Sequence, residues 1–217
     1  MTTDRAALRS AYDRAAAEYG QRRNPRYDQF RAEQLDWFAE QVLATGGNRV
    51  LDLGSGPGHE SVELRNRGLV PLAVDFSTEM VTRCRAKSLD AVEQDLYDLR
   101  VSSASWAGAW ASFSLLHIPK ADLAPIVDRI ADALVPGGIL LVLLFEGDGE
   151  GPREADRTSF GVARYFSYYR QDELSAALCN QFDIVDTRRL DISPRPTITV
   201  AGRLRSTGPT PVKEHHV

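Results

Sequence analysis

Val50-Leu-Asp-Leu-Gly-Ser-Gly-Pro-Gly58 is an apolar strand pattern that runs straight into three glycines at alternate positions. Glycine is needed where a backbone turns sharply or lies against a ligand with no β-carbon in the way. The helix expected next opens with unpaired N–H groups that can face that ligand. A dinucleotide fingerprint would carry its third glycine three residues after the second, where this chain has His59. Asp52, two positions ahead of Gly54, disfavours a nearby diphosphate and suits a ligand bearing an ammonium group. Asp52, Gly54, Ser55, Gly56 and Gly58 are therefore assigned to a cationic ligand, with a plain strand-to-helix connection as the alternative.

Outward from this turn, short apolar runs alternate with helix-period stretches, the pattern of a parallel sheet with helices on both faces. Strands are expected at 49–53, 72–74, 91–94, 109–114 and 139–145, with two more near 182–187 and 197–204. Pro71 argues against a longer second strand. Leu123, Ile126, Val127, Ile130 and Leu134 have the spacing of a helix laid on the sheet, stopped by Pro136-Gly137-Gly138. An Ala-rich helix is expected at 5–19 and an amphipathic one at 27–44, ending at Gly46-Gly47. The division is one α/β domain over 1–205, with an N-terminal helical cap (1–45), a Rossmann-like core (46–205) and a frayed tail (206–217).

Composition sets the broad class. Of 217 residues, 43% are apolar and 26% charged, which suits a globular domain able to bury a full core. The longest apolar run, Ile139 to Phe145, fits a buried strand and falls well short of a bilayer span. The polar N-terminus lacks a secretory core, and two distant cysteines suggest neither a disulfide framework nor a zinc site, so a reducing cytoplasm is expected. A net charge of -4 gives no general attraction to phosphate backbones. Partners are thus expected to be small molecules, not nucleic acid or membrane.

Two more acids close strands. Asp75 ends the second, where a carboxylate can accept both hydroxyls of a ribose, although a helix cap is the alternative. Asp95 follows the third, placed to accept from an exocyclic adenine amine. Together with Leu51-Asp-Leu-Gly-Ser-Gly-Pro-Gly58, the segments Val74-Asp-Phe-Ser-Thr-Glu-Met80, Gln94-Asp-Leu96, Trp110-Ala-Ser-Phe-Ser-Leu-Leu-His-Ile-Pro119, Leu134-Val-Pro-Gly-Gly-Ile-Leu-Leu141 and Phe145-Glu-Gly-Asp-Gly-Glu-Gly151 resemble the class I S-adenosylmethionine-dependent methyltransferases over about residues 10 to 205. The chain resembles in particular a small bacterial branch with Leu-Leu-His-hydrophobic-Pro after the fourth strand. Ala107, Pro71 and Phe113 depart from the usual pattern.

The resemblance implies S-adenosylmethionine as cofactor and a seven-stranded sheet whose last strand is antiparallel. It also implies an N-terminal helical pair folded over the cofactor and Phe76 against the adenine, with Leu96 and Tyr19 completing that site. Methyl transfer is an in-line displacement that needs alignment and exclusion of water, and no metal. His117 at the sheet edge is the candidate base, with helix capping or loop orientation as the alternative. Tyr12, Glu146, Tyr165, Tyr168 and Tyr169 are assigned to the acceptor, under a loop over 146–164 read as a flap. No Asn/Asp-Pro-Pro-aromatic loop or Pro-Cys nucleophile is present, which disfavours nucleic-acid methylation. The competing readings are a non-catalytic S-adenosylmethionine-binding regulatory or scaffold subunit and a nicotinamide-dependent oxidoreductase.

Overall fold

The computed structural model describes residues 5–19, 24–153, 164–191 and 195–206 of the chain, so the expected tail after Ser206 and the middle of the 146–164 loop lie outside the described residues. Strands β1 (Arg49–Leu53), β2 (Val70–Asp75), β3 (Asp90–Glu93), β4 (Trp106–Ser112), β5 (Leu134–Phe145), β8 (Phe182–Leu190) and β9 (Thr197–Leu204) form one sheet in the order β3-β2-β1-β4-β5-β9-β8. The β1–β2, β1–β4, β2–β3 and β4–β5 pairs are parallel, while β9 is antiparallel to both neighbours, as expected. Strand order reverses between β1 and β4, and a crevice opens at the carboxyl ends of strands at such a reversal.

The period of 2 along each strand sorts side chains to two cores. In β5, Leu140, Val142 and Leu144 join α5 (Lys120–Ala133) and α6 (Gln171–Leu178) on one face. Ile139, Leu141 and Leu143 join α2 (Pro25–Leu43) on the other. Helix α2 is capped by the Asn24 side chain, which accepts from the N–H groups of Arg26 and Tyr27, and Pro25 fills the first turn, where a missing N–H costs nothing. Its Leu35, Phe38 and Val42 pack on Val50, Trp110 and Leu141. Among its described residues the 1–45 segment is therefore divided: α2 belongs to the sheet, and α1 (Arg5–Ala15), with the turns through Tyr19, covers the crevice. Among the described residues, no helix is long and apolar enough to cross a membrane.

Several boundaries differ from the sequence expectation for definite reasons. Pro71 does sit in β2, opposite Val50. The Val70 N–H bonds towards β1, at Asn48 O, so position 71 points to the β3 side, where pairing starts only at Leu72. Its missing donor is not needed there. Strand β4 stops at Ser112 because Phe113 adopts φ +52, a left-handed conformation that ends the pleat. Leu134 leaves the helix and opens β5 opposite Trp106. The flap is partly a hairpin, since β6 (Glu150–Arg153) pairs antiparallel with β7 (Arg164–Ser167).

Asp52 shares the face of Val50 and so points towards α3 (His59–Asn66), not into the crevice. It is 2% exposed and its Oδ2 accepts from Ser61 Oγ at 2.5 Å. This corrects its assignment as a ligand contact: Asp52 fastens α3 beneath the turn. Burial, reinforced by the Glu60 carboxylate, pushes the Asp52 carboxyl up to about 8. A carboxyl raised in the folded state stabilises fully only below its unfolded pKa, and that contribution is lost as pH climbs between about 4 and about 8. Asp52→Asn should therefore shrink the fall in urea midpoint between pH 5 and pH 8, and an unchanged fall would show that Asp52 titrates elsewhere.

A second prediction tests the seat of α2. A β-carbon at Gly108 would stand 2.6 Å from Val42 Cγ2 and 2.8 Å from Phe38 Cζ. Gly108→Ala should destabilise by about 1 to 3 kcal/mol through overpacking, measured by urea unfolding; a neutral result would mean that α2 does not lie this close to the sheet.

Candidate active site

Four strand ends meet at the reversal point. The chain after β1 turns through Gly54 at φ +69, whose β-carbon would stand 2.3 Å from Ser114 Cβ. It continues through Gly56 at φ +54, where a β-carbon would stand 3.4 Å from the Tyr19 ring. The N–H groups of Gly54 and Ser55 both bond to Val74 O, at 2.8 and 3.1 Å, which ties the turn to β2. Ser55 is buried with its hydroxyl towards Gly56 O and Cys84 Sγ, and Gly58 begins α3 under Leu89 and Cys84. Both support the turn from beneath.

The turn and Asp75 fix each other. Asp75 Oδ2 accepts from the Gly56 N–H at 2.8 Å and Oδ1 from the Ser77 N–H at 2.9 Å. Burial nevertheless pushes its carboxyl up to about 6, against the pull of those backbone donors. The cap of α4 (Thr78–Ala86) is Ser77, whose hydroxyl accepts from the Met80 N–H, so the capping alternative for Asp75 falls to its neighbour. Past β3, Asp95 accepts from the Tyr97 N–H and pairs with Arg5 of α1, whose guanidinium also lies 4.3 Å from the Tyr97 ring centre.

These ends enclose a cavity of about 310 Å³. Of the residues singled out from sequence, Tyr12, Tyr19, Gly54, Gly56, Asp75, Phe76, Asp95, Leu96 and His117 line it. Sequence reasoning missed Arg5, Phe113 and Ser114, among others. Phe113 was noted only as unusual, yet its left-handed backbone, costing about 1 to 3 kcal/mol in a non-glycine residue, directs the chain into the cavity wall. The Ser114 hydroxyl oxygen is buried at this wall with no hydrogen-bond partner among the described residues.

Helix α1 roofs the cavity. Tyr12 lies edge-on to Phe76 at 5.7 Å and to His117 at 5.7 Å, and 5.9 Å from Tyr19. Asp13 accepts from Ser77 Oγ at 2.6 Å and from the Glu79 N–H at 3.2 Å, and Arg9 pairs with Glu93 at 2.9 Å. His117 lies between roof and flap. Its Nδ1 is 2.8 Å from Tyr165 O, an oxygen that only accepts, so the ring proton is on Nδ1. Nε2 then accepts from the Tyr12 hydroxyl at 2.6 Å. Burial lowers the imidazole to about 4, so it is neutral near pH 7.

The expected acceptor wall is placed differently. Tyr165 meets His117 through its backbone carbonyl, and its ring lies outside the cavity lining. Tyr168 and Tyr169 are buried in the core, Tyr168 stacked on Phe166 at 6.0 Å and Tyr169 beneath Lys120 Nζ at 4.7 Å from its centre. Glu146 pairs with Arg189 at 2.6 Å, also outside the lining. Phe166, which sequence did not single out beyond its aromatic cluster, is the ring that reaches His117, at 4.9 Å. Among the described residues, no group of three or more His, Cys, Asp or Glu is arranged to hold a metal ion.

Residues 50–138 match a family described as a methyltransferase domain. The chain is 30% identical over 159 residues to a ubiquinone biosynthesis O-methyltransferase of Xylella fastidiosa, covering 62% of this chain and 63% of that protein. It is 26% identical over 147 residues to a malonyl-[acyl-carrier protein] O-methyltransferase of Enterobacter lignolyticus, covering 67% and 56%. The chain thus spans somewhat over half the length of these relatives. In fold it is similar to the 1,6-didemethyltoxoflavin-N1-methyltransferase of Burkholderia thailandensis, solved with its substrate and S-adenosylhomocysteine, with a TM-score of 0.69, 21% identity and coverage of 93% and 89%. With the glycine turn, the acid closing β2 and the matched segment all meeting at one switch-point cavity, residues 50–138 carry a methyltransferase domain, and the chain is similar in sequence and fold to methyltransferases.

Proposed function

We propose that the protein transfers the methyl group of S-adenosylmethionine to a small-molecule acceptor at this cavity, with His117 as the proton acceptor. The observation that carries the reading is that one cavity joins Gly54, Gly56 and Asp75 at one side to a neutral imidazole, bonded at Nε2 by the Tyr12 hydroxyl, at the other. The residues suit the cofactor. The two glycines admit close approach, each Asp75 oxygen keeps a lone pair beyond its backbone bond for a ribose hydroxyl, and the Phe76 ring and Leu96 offer apolar surface for adenine. Asp95 supplies an acceptor for the adenine amine, and the Ser114 hydroxyl a partner for a polar group of the ligand. Bound there, S-adenosylmethionine supplies an electrophilic methyl carbon. Tyr12, Tyr19 and α1 exclude water, and His117 at about 4 remains an unprotonated base through the neutral range.

Calorimetric titration should show binding of S-adenosylhomocysteine and none of NAD; the reverse preference would end this reading. Asp75→Ala should weaken that binding about tenfold or more, since each hydrogen bond to a charged group contributes roughly 1.5 to 3 kcal/mol. Because the ribose hydroxyls donate to the ionised carboxylate, affinity in the parent protein should fall as pH drops below about 6, a fall that Asp75→Ala removes. With an acceptor in hand, His117→Ala should lower the rate by about 100-fold and leave cofactor affinity nearly intact. Full activity in that variant would exclude the base role.

A further inference from the structure

Three separately placed pieces of the chain converge on one hydrogen-bonded line. Tyr12 comes from the roof helix α1, His117 from the turn after β4, and Arg164 and Tyr165 from β7 of the hairpin. The Arg164 side chain hydrogen-bonds the Tyr12 hydroxyl, the hydroxyl donates to His117 Nε2 at 2.6 Å, and His117 Nδ1 donates to Tyr165 O at 2.8 Å. The guanidinium has no acceptor, so Tyr12 Oη receives from Arg164 while its own proton points at the imidazole. The Phe166 ring holds both ends, lying 4.9 Å from His117 and 5.0 Å beneath the Arg164 guanidinium carbon.

The Nε2 lone pair is already filled by Tyr12, so a molecule in the cavity meets the Tyr12 oxygen before it meets the base. The Tyr12 oxygen both bonds His117 Nε2 and, like His117, lines the cavity, so it stands between a bound molecule and the base. We infer that Tyr12 is a catalytic proton relay between the acceptor and His117, with Arg164 as its positioning residue, so that the acceptor is a molecule whose reacting oxygen or nitrogen carries a proton. As the acceptor lone pair bonds to the methyl carbon, the electron pair of the broken carbon–sulfur bond stays on sulfur. The acceptor proton passes to Tyr12 Oη and the Tyr12 proton to His117 Nε2, which leaves an imidazolium still bonded to Tyr165 O. Arg164 steadies the negative charge that develops on Oη between the two transfers. The charged groups facing the line are Arg164 from β7 and Asp75 at the end of β2.

This inference rests on the methyl-transfer reading, and the test separates the two. The His117 imidazole is titrated by nitrogen-detected NMR in the S-adenosylhomocysteine complex of the parent protein, Tyr12→Phe and Arg164→Met. Loss of the donor to Nε2 or of the nearby cation should raise the His117 pKa in each, and Arg164→Lys should restore most of the shift. An unmoved titration in both variants overturns the hydrogen-bonded line, whatever the activity. Release of S-adenosylhomocysteine is then followed with catechol and with phenethylamine as probes. Tyr12→Phe should lose about 100-fold in kcat with KM changed less than about threefold, and Arg164→Met should move the acid limb of kcat to higher pH. A Tyr12→Phe protein that keeps its kcat and loses only KM reduces Tyr12 to a binding residue and overturns the relay. A parent protein that turns over neither probe counts against the methyl-transfer reading instead, and the titrations still decide the line.

Discussion

The bond from the Gly56 N–H to Asp75 Oδ2, 2.8 Å long, is the constraint on which the site depends. It joins the turn after β1 to the end of β2 across the point where strand order reverses, so neither loop can move without the other. Because Gly54 and Ser55 also bond to Val74 O, the turn is stitched to β2 by three backbone donors. A crevice built this way is largely formed before a ligand arrives, which reduces the ordering cost of binding. The same bond orients a carboxylate that burial drives towards its neutral form, so the donors that shape the turn also keep the acid usable as an acceptor.

The two sides of the cavity are held by different physics. Its floor is the sheet, with apolar cores on both faces and α2 seated closely on Gly108. Its roof is α1, whose apolar cluster among the described residues comprises Leu8, Tyr12, Ala16 and Met80, with Tyr19 and Phe76 beside it. The rest of its hold is polar, through Arg9 on the end of β3, Arg5 on the turn after it and Asp13 on the turn after β2. Exposed ion pairs contribute little each, so the roof is expected to open at far lower cost than the sheet. Tyr12 and the hairpin meet at His117, so closing the roof also completes the surroundings of that imidazole.

How much of this is legible in sequence follows from the range of the interactions involved. Gly54, Gly56, Asp75, Phe76, Asp95 and His117 were identifiable because strand ends and turns are local, and a parallel sheet brings successive strand ends together. Asp52 was misplaced although its position in β1 was known; the period of 2 already puts it with Val50, on the face away from the crevice. Tyr168 and Tyr169 were misplaced because burial is set by elements distant in sequence: their rings fill space between the hairpin and α5, α6, which composition alone does not reveal. The hairpin itself had a weak signal, since Arg164-Tyr-Phe-Ser167 has strand propensity, but its partner Glu150-Gly-Pro-Arg153 has almost none. Arg5 carried no signal at all, because only the fold brings the start of α1 to Asp95.

The separation between a sheet-seated α2 and a lightly held α1 bears on how such a chain can change over generations. Substitutions along α1 alter what covers the crevice while leaving the two large cores untouched, so selection can explore new acceptors there at small thermodynamic risk. The same freedom does not extend to Gly54, Gly56 or Asp75, where any change strikes floor and ligand together. Innovation is thus channelled to the positions of α1 other than Tyr12, and inheritance to the strand ends and to the hairpin residues that meet His117.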